Sequence, residues 1–269
     1  MLTKKFHMNK AIHRDSENTT KVFDHRTLET DYATLVPVLK AGLRVLDVGC
    51  GTGAISKGIA LRVGSSGHVV GIDNTESFIS HGKQVFSDID NLTLMHADLF
   101  TFQPEEEFDL IVTARVLQWL SNPLDAVKKL VSFLKRGGQL SILDYNHEAL
   151  EWMPQPPESM RKFYQAFLKW RSDAGMNNRI AEDLLDYFTQ AGLSPIEVFN
   201  ADEHYIKSQE NFNQRAGIWS TVAGLRQISD EGYIDEAARL LAIAEYNAWI
   251  EKDAERMIMK LTEVRGRRP

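Results

Sequence analysis

Short apolar runs alternate with amphipathic stretches between Gly42 and Asp144. The stretches between the runs place apolar residues at the spacing of an amphipathic helix, whereas the runs themselves are short enough to be buried strands. Strands separated by helices of this length form a parallel sheet with right-handed crossovers. The pattern predicts an α/β fold with a doubly wound, mostly parallel sheet, whose first strands are Arg44–Val48, His68–Ile72, Leu92–His96, Phe108–Thr113 and Gln139–Asp144.

The second half of the chain is largely helical in pattern, with two further strands predicted at Pro195–Asn200 and Arg256–Val264. These complete a seven-stranded sheet. The helical segments are longer than sheet crossovers require, so we expect them to form a cap over the active edge. The sequence predicts one domain over residues 1–269, with a core of about 30–145, 192–200 and 256–265 and a helical cap of about 147–191 and 208–253.

A glycine-rich loop follows the first predicted strand. Residues 45–53 read Val-Leu-Asp-Val-Gly-Cys-Gly-Thr-Gly. Glycines permit a positive φ and let the backbone approach a ligand closely, and the helix that follows directs its free N–H groups into the same space. Asp73 lies at the end of the second strand, 20 residues after Gly53, where a carboxylate can accept hydrogen bonds from a ribose diol. Together they favour a nucleoside site over a merely tight turn.

The spacing of the glycines narrows the class of nucleoside. A dinucleotide fingerprint is Gly-x-Gly-x-x-Gly, and a phosphate-binding loop ends in Gly-Lys-Ser/Thr. The loop from Gly49 to Gly53 has neither pattern. A nucleoside without a diphosphate therefore fits the loop better than a dinucleotide or a nucleoside triphosphate.

Residues 45–53 resemble the first motif of class I S-adenosylmethionine (SAM)-dependent methyltransferases, and the similarity extends over about residues 30–145. Asp73 matches the ribose-binding acid of that family. The segments 96–99, 108–112 and 134–140 resemble, in turn, the adenine-facing segment after strand three, strand four, and the junction that leads into strand five. The resemblance implies a Rossmann-like methyltransferase fold, SAM as cofactor and S-adenosylhomocysteine as product.

The resemblance also assigns residues to the cofactor. Arg115 departs from the small or polar residues that are usual after strand four; it could pair with a carboxylate of the cofactor or substrate, or with a nearby acid at the surface. Gln118 follows at the same edge and could hydrogen-bond either ligand. The predicted cofactor-binding residues are Asp47, Gly49, Cys50, Gly51, Gly53, Asp73, Asn74, Asp98, Leu99, Ala114, Arg115 and Gln118.

Methyl transfer from a sulfonium is an in-line displacement, which depends mainly on the position and direction of the acceptor. A neutral acceptor must also lose a proton to a base. Tyr145 and His147 follow strand five at the edge where ligands bind in such sheets, so they are the catalytic candidates. For a single loop histidine, a structural role is the alternative. Aromatic residues such as Trp119, Phe167 and Trp219 could enclose the acceptor or form part of the core.

Composition sets the remaining expectations. The net charge of −6 argues against a protein that tracks nucleic-acid phosphates. The single cysteine, Cys50, and the spacing of the histidines predict no metal site. Without an apolar run of ~18–20 residues or a secretory signal, we expect a cytoplasmic protein with no membrane partner.

We therefore predict methyl transfer to a small molecule whose acceptor atom (O, N or C) stays open, as does the choice between monomer and homodimer. The alternatives are an RNA or protein methyltransferase and a non-catalytic SAM-binding protein. The RNA alternative has some support in four basic residues that lie close together in one predicted helix, Arg161, Lys162, Lys169 and Arg171.

Overall fold

The computed structural model of the chain describes residue 10, residue 12 and residues 24–269. The expectation about a secretory signal falls largely outside this described part. A single mixed sheet has the strand order β3-β2-β1-β4-β5-β8-β6. The strands are β1 (Arg44–Val48), β2 (His68–Asp73), β3 (Leu92–His96), β4 (Phe108–Ala114), β5 (Leu134–Met153), β6 (Ile196–Asn200), β7 (Glu203–Ile206) and β8 (Arg256–Arg267).

Strands β1 to β5 are mutually parallel, and β8 runs antiparallel to β5, β6 and β7. The predicted doubly wound, mostly parallel sheet is confirmed. All seven predicted strands are present, and the short β7, which was not predicted, adds an eighth beside β8.

Ten α-helices are found in the described part of the chain. None of them combines the length and the apolar character that crossing a bilayer would require. They are α1 (Leu28–Asp31), α2 (Ala54–Val63), α3 (Glu76–Val85), α4 (Pro123–Ser132), α5 (Glu158–Asp173), α6 (Ile180–Gln190), α7 (Phe212–Ala216), α8 (Ile218–Ala223), α9 (Gln227–Asp230) and α10 (Glu236–Lys252).

Successive side chains of the central strands supply two apolar layers, one on each face of the sheet. In β1, Val45 belongs to the cluster that contains Ile59 of α2 and Trp219 of α8, whereas Leu46 belongs to the cluster that contains Leu130 of α4. This alternation follows from the period of two of an extended strand. Burial on both faces explains why β1, β2 and β4 read as continuous apolar runs.

The predicted helical cap is wrong at its beginning, because residues 147–153 are not helical but continue β5. Trp152 and Met153 pair with Met257 and Arg256 of β8, after an irregularity between Asn146 and Glu151. The first half of β8 projects beyond the parallel strands, and its backbone hydrogen-bonding groups need partners on both sides. The extension of β5 pairs with one side, and β7 pairs with the other. The cap helices begin only at α5.

Candidate active site

The loop after β1 has a backbone conformation that glycine adopts readily. Gly49, Gly51 and Gly53 have φ values of 71°, 58° and 87°, all in the left-handed region. A Cβ added at Gly49 would lie only 2.2 Å from Cγ2 of Val116, which follows β4. The missing side chain thus lets the turn after β1 lie directly against the segment after β4. At this position the glycine motif reflects both a backbone and a packing requirement.

Asp73 stands at the end of β2 with its carboxylate oriented by two backbone amides. Gly51 N donates to Oδ2 and Thr75 N donates to Oδ1, each at 2.9 Å. The residue is 7% exposed. Because a carboxylate oxygen can accept more than one hydrogen bond, each oxygen retains a lone pair for a further donor. The carboxylate is therefore held in place while it can still bind a ligand.

A cavity of about 870 Å³ lies at the carboxyl edge of the sheet, within the range of small-molecule sites. One end is next to the glycine loop and Asp73, and the other end lies beneath α5 and α8. It brings together most of the predicted cofactor residues and both catalytic candidates. The predicted residues that line it are Gly49, Asp73, Asn74, Asp98, Leu99, Ala114, Arg115, Gln118, Tyr145 and His147.

Four residues predicted to contact the cofactor do not line the cavity: Asp47, Cys50, Gly51 and Gly53. Asp47 is buried, and its Oδ2 accepts a hydrogen bond of 2.5 Å from Ser56 Oγ of α2. Gly51 directs its N–H to Asp73, and Gly53 precedes the first residue of α2. Their groups help to build the loop, and direct contact of these four residues with the cofactor stays a prediction.

Burial controls the protonation of two of these groups. It raises the pKa of Asp47 to about 6, partly offset by the hydrogen bond from Ser56. Burial and the nearby carboxylates of Asp47 and Asp73 raise the pKa of the Cys50 thiol well above its usual value. Cys50 is thus a protonated thiol at neutral pH, which makes it a poor nucleophile.

His147 is a buried, neutral histidine that lines the cavity. Its Nε2 lies 2.6 Å from Oε1 of Gln118, whose Nε2 donates to the carbonyl of Arg115 at 3.0 Å. Since Oε1 can only accept, the ring hydrogen is on Nε2, and Nδ1 carries a lone pair. Burial, and secondarily the charge of Arg171, lower the pKa of His147 well below its usual value. The ring can accept a hydrogen bond from a ligand but is a weak base.

Arg115 is the most constrained residue of the site. Its backbone has φ 63°, the only positive value among the described non-glycine residues. Its Nε donates to Tyr145 Oη at 2.8 Å, and its Nη2 donates to the carbonyl of Asp31 at 2.9 Å and forms an ion pair with Glu203 of β7. The side chain is buried, so the interpretation as a surface arginine is wrong, although it does pair with an acid.

Several residues of the cavity wall could not be identified from the sequence. Arg26, Val222 and Met259 line it, and they come from before α1, from α8 and from β8. No local pattern marks them, since they converge only when the chain folds. Trp119, Phe167 and Trp219, for which wall and core were both open, also line the cavity. The rings of Phe167 and Trp219 pack edge to face with His147.

The basic residues of α5 do not form a free cationic face. Arg161 and Lys162 pair with Glu158, and Lys169 pairs with Asp173, all within the same helix. Arg171 is fully buried and donates to the carbonyl of Gln118 at 2.8 Å. These pairings remove the observation that supported an RNA substrate. In the described part of the chain, no group of three or more His, Cys, Asp or Glu side chains could hold a metal ion.

The profile of a family described as a methyltransferase domain matches residues 39–208. A demethylmenaquinone methyltransferase of Staphylococcus saprophyticus is 28% identical over 172 residues, which cover 60% of this chain and 74% of that protein. Its counterpart from Staphylococcus aureus strain JH9 is 26% identical over 209 residues, covering 70% and 86%.

Two solved structures have similar folds. The N-methyltransferase NodS from Bradyrhizobium japonicum, in complex with S-adenosylhomocysteine, superposes with a TM-score of 0.54 at 17% identity over 95% of this chain and 94% of that one. Phosphoethanolamine N-methyltransferase 2 from Haemonchus contortus superposes with a TM-score of 0.56 at 17% identity over 88% of this chain. The match spans about half (52%) of the Haemonchus chain.

Proposed function

We propose, from the premise that the chain belongs to the methyltransferase-domain family and is a SAM-dependent methyltransferase, that its methyl acceptor is a small molecule. The observation that carries the proposal is a continuous cavity that has Asp73 at one end and His147 and Trp219 at the other. Its volume of about 870 Å³ suits a cofactor together with a metabolite. The relatives named above as methyltransferases of demethylmenaquinone support a small-molecule acceptor rather than RNA or protein.

At the cofactor end, we assign the ribose hydroxyls of SAM to Asp73. The two amides that orient this carboxylate support the assignment, because they leave its remaining lone pairs available to a diol. Asn74, Asp98 and Leu99 would surround the adenine, and Gly49 would approach the methionine part. Asp47, Cys50, Gly51 and Gly53 would act as positioning residues for this end.

At the acceptor end, Ala114, Arg115, Gln118, Tyr145 and His147 would surround the reacting atoms. When bound, SAM supplies an electrophilic methyl group. The protein's contribution is then to orient the acceptor and to exclude water beneath α5 and α8. Nδ1 of the neutral His147 can accept a hydrogen bond from an acceptor O–H or N–H. A neutral imidazole in that position can take the proton as the new bond to carbon forms.

The proposal is tested with methyl-labelled SAM and a whole-cell extract divided by ultrafiltration. We expect the purified protein to transfer label to compounds of the low-molecular-weight filtrate. The Asp73→Ala variant serves as the control for transfer that does not depend on the cavity. Label confined to the retained RNA or protein fraction would contradict a small-molecule acceptor.

A further inference from the structure

The acceptor end of the cavity presents a nitrogen lone pair that the protein itself does not use. Nε2 of His147 carries the ring hydrogen and is bound to Gln118, so Nδ1 can only accept a hydrogen bond. In the described part of the chain, Nδ1 has no hydrogen-bond partner, and it is not among the unpaired side-chain atoms that are closed to solvent. Because His147 lines the cavity, this lone pair favours a ligand that carries a hydrogen-bond donor.

The described walls of the acceptor end contain no carboxylate. The acidic residues that line the cavity are Asp73, Glu76 and Asp98, and all three lie at the cofactor end. A positively charged group beside His147 would therefore leave water without meeting a counter-charge, which is costly. The donor of the ligand is for this reason not an ammonium group.

The aromatic rings of this end do not replace the missing counter-charge. The guanidinium carbon of Arg171 lies 4.8 Å from the Trp119 ring centroid and 5.3 Å from that of Phe167. The guanidinium carbon of Arg115 lies 5.5 Å from the Tyr145 ring centroid. Three of the lining rings thus already interact with a guanidinium group of the protein, and this charge repels a second cation at the same rings.

The cations that line the cavity already interact with carboxylates, so they do not select an anion. Arg115 forms an ion pair with Glu203, and Lys10 forms one with Glu231. Arg26 also interacts electrostatically with Glu203. A negatively charged ligand would have to compete with these carboxylates. The acceptor end therefore favours a ligand without a net charge.

The rest of the wall suits a flat, apolar molecule. The ring centroids of Phe167 and Trp219 lie 5.7 Å and 6.0 Å from that of His147, and both rings stand edge to face with it. A further aromatic ring can pack against such a wall in the same way. The aliphatic part of the wall consists of Ile218, Val222, Leu225 and Met259.

We propose that the methyl acceptor is an uncharged, apolar phenol whose hydroxyl group donates a hydrogen bond to Nδ1 of His147. The phenol oxygen forms a bond to the methyl carbon while the bond between that carbon and the sulfonium sulfur breaks, and the sulfur retains the electron pair. Nδ1 takes the phenolic proton and releases it to solvent when the products leave. The inference rests on the proposed function, because it requires SAM at the other end of the same cavity.

A phenol suits this base better than an alcohol or an amine does. Burial, and secondarily the charge of Arg171, lower the pKa of His147 well below its usual value, so the ring can take only a relatively acidic proton. A phenol has a pKa of about 10, whereas an aliphatic hydroxyl is far less acidic. An aliphatic amine is protonated at neutral pH and has no lone pair to attack the methyl group.

The first test compares three probes of similar size, 2-naphthol, 2-naphthoate and 2-naphthylmethylamine, which are neutral, negative and positive at neutral pH. Their binding to protein saturated with S-adenosylhomocysteine is measured by isothermal titration calorimetry. We expect 2-naphthol to bind at least ~10-fold more tightly than either charged probe, because burying a charge without a free counter-charge is costly. A charged probe that binds as tightly as 2-naphthol, or no binding of 2-naphthol at millimolar concentration, would overturn the inference.

His147→Phe keeps an aromatic ring in the wall but removes Nδ1. We expect it to weaken 2-naphthol binding ~2- to 10-fold, the effect of one neutral hydrogen bond, and to leave the affinities for 2-naphthoate and S-adenosylhomocysteine unchanged. His81→Phe, at an exposed pair with Asp24, is the matched control and should keep wild-type affinities. Unchanged 2-naphthol affinity in His147→Phe would contradict the bond to Nδ1. Failure of the wild type to bind S-adenosylhomocysteine would instead contradict the proposed function.

The position of the new methyl group provides an independent test. Hydriodic acid releases the methyl group of an aryl ether as methyl iodide, but it leaves a methyl group on a ring carbon in place. We expect the labelled products of the low-molecular-weight filtrate to release their label as methyl iodide. Label that stays in the product would overturn transfer to a phenol oxygen, whereas a filtrate without label would contradict the proposed function.

Discussion

The two ends of the cavity are built in different ways. The cofactor end is built mainly around the glycine loop and the Asp73 carboxylate, which lie within 25 residues, from Gly49 to Asp73. The acceptor end consists of side chains that converge from residues as distant as Arg26 and Met259. A site built from backbone turns needs particular residue types at fixed spacing in the sequence. A wall built from side chains needs only a suitable shape and charge, which residues from any part of the chain can supply.

This difference decides which parts of the molecule could be predicted. The glycine loop and Asp73 were found because left-handed turns and close backbone approach restrict the residue type. Arg26 and Met259 were missed because nothing local distinguishes a wall residue from any other arginine or methionine. Trp219 showed the same ambiguity, since an aromatic residue at helical spacing is equally suited to the core.

The same contrast applies to the fold. Strands β1 to β4 were predicted to within one residue at each end, because burial on both faces leaves a continuous apolar run. The extension of β5 through residues 147–153 and the four-residue β7 were missed. Their conformation depends on pairing with the projecting half of β8, which comes about 50 to 100 residues later in the chain. Contacts of that separation leave no local pattern.

The largest effect on the cofactor end is expected from Asp73→Ala. Each charge-assisted hydrogen bond to the ribose is worth about 1.5–3 kcal/mol, so losing two should weaken SAM binding at least ~100-fold. Calorimetric titration with SAM measures the change, and Asp90→Ala, an exposed acid after α3, is the control. Wild-type affinity in Asp73→Ala would remove the ribose assignment.

Gly49→Val should be nearly as damaging, because the added side chain would overlap Val116 and force an unfavourable φ. Strain and overpacking cost about 1–3 kcal/mol each, so we expect SAM affinity to fall ~30-fold or more as the loop shifts. Gly64→Val is a matched control: its φ is +67°, and nothing lies within 4 Å of its added Cβ. Both variants should lose stability, but only Gly49→Val should lose cofactor affinity; equal affinity losses would show that the loop does not need close approach.

At the acceptor end, His147→Phe keeps the ring packing against Phe167 and Trp219 but removes both nitrogens. We expect kcat to fall ~10- to 100-fold, which is at or below the low end of the usual contribution of general-base catalysis. The KM for SAM should change little. His81→Phe, at an exposed pair with Asp24, is the control. A rise in the KM for SAM at constant kcat would instead place His147 at the cofactor end of the cavity.

The pH dependence gives an independent check on the same residue. Because the pKa of His147 is well below 6.5, its ionisation should not appear in the kcat/KM profile between pH 6.5 and 8. An inflection in that range that disappears in His147→Phe would contradict the neutral, buried imidazole.

The last prediction concerns stability rather than binding or catalysis, and it involves Asp47, whose pKa is raised from 3.8 to about 6 in the folded chain. The folded state binds a proton more tightly than the unfolded state, so this group favours folding at low pH, and that stabilisation is lost as the pH rises through 6. Asp47→Asn should therefore raise the free energy of unfolding of the SAM-free protein by up to ~3 kcal/mol above pH 7 and by little near pH 4. Urea denaturation at both pH values measures the difference, and a gain independent of pH would contradict the raised pKa.

The central claim is that one cavity holds the nucleoside at Asp73 and a small-molecule acceptor beside His147. A crystal structure with S-adenosylhomocysteine tests it most directly. We predict ribose hydroxyls on the Asp73 carboxylate, with the part of the cavity next to His147, Phe167 and Trp219 left open for the acceptor. A nucleoside bound away from Asp73, or one that fills the part next to His147, would contradict the claim.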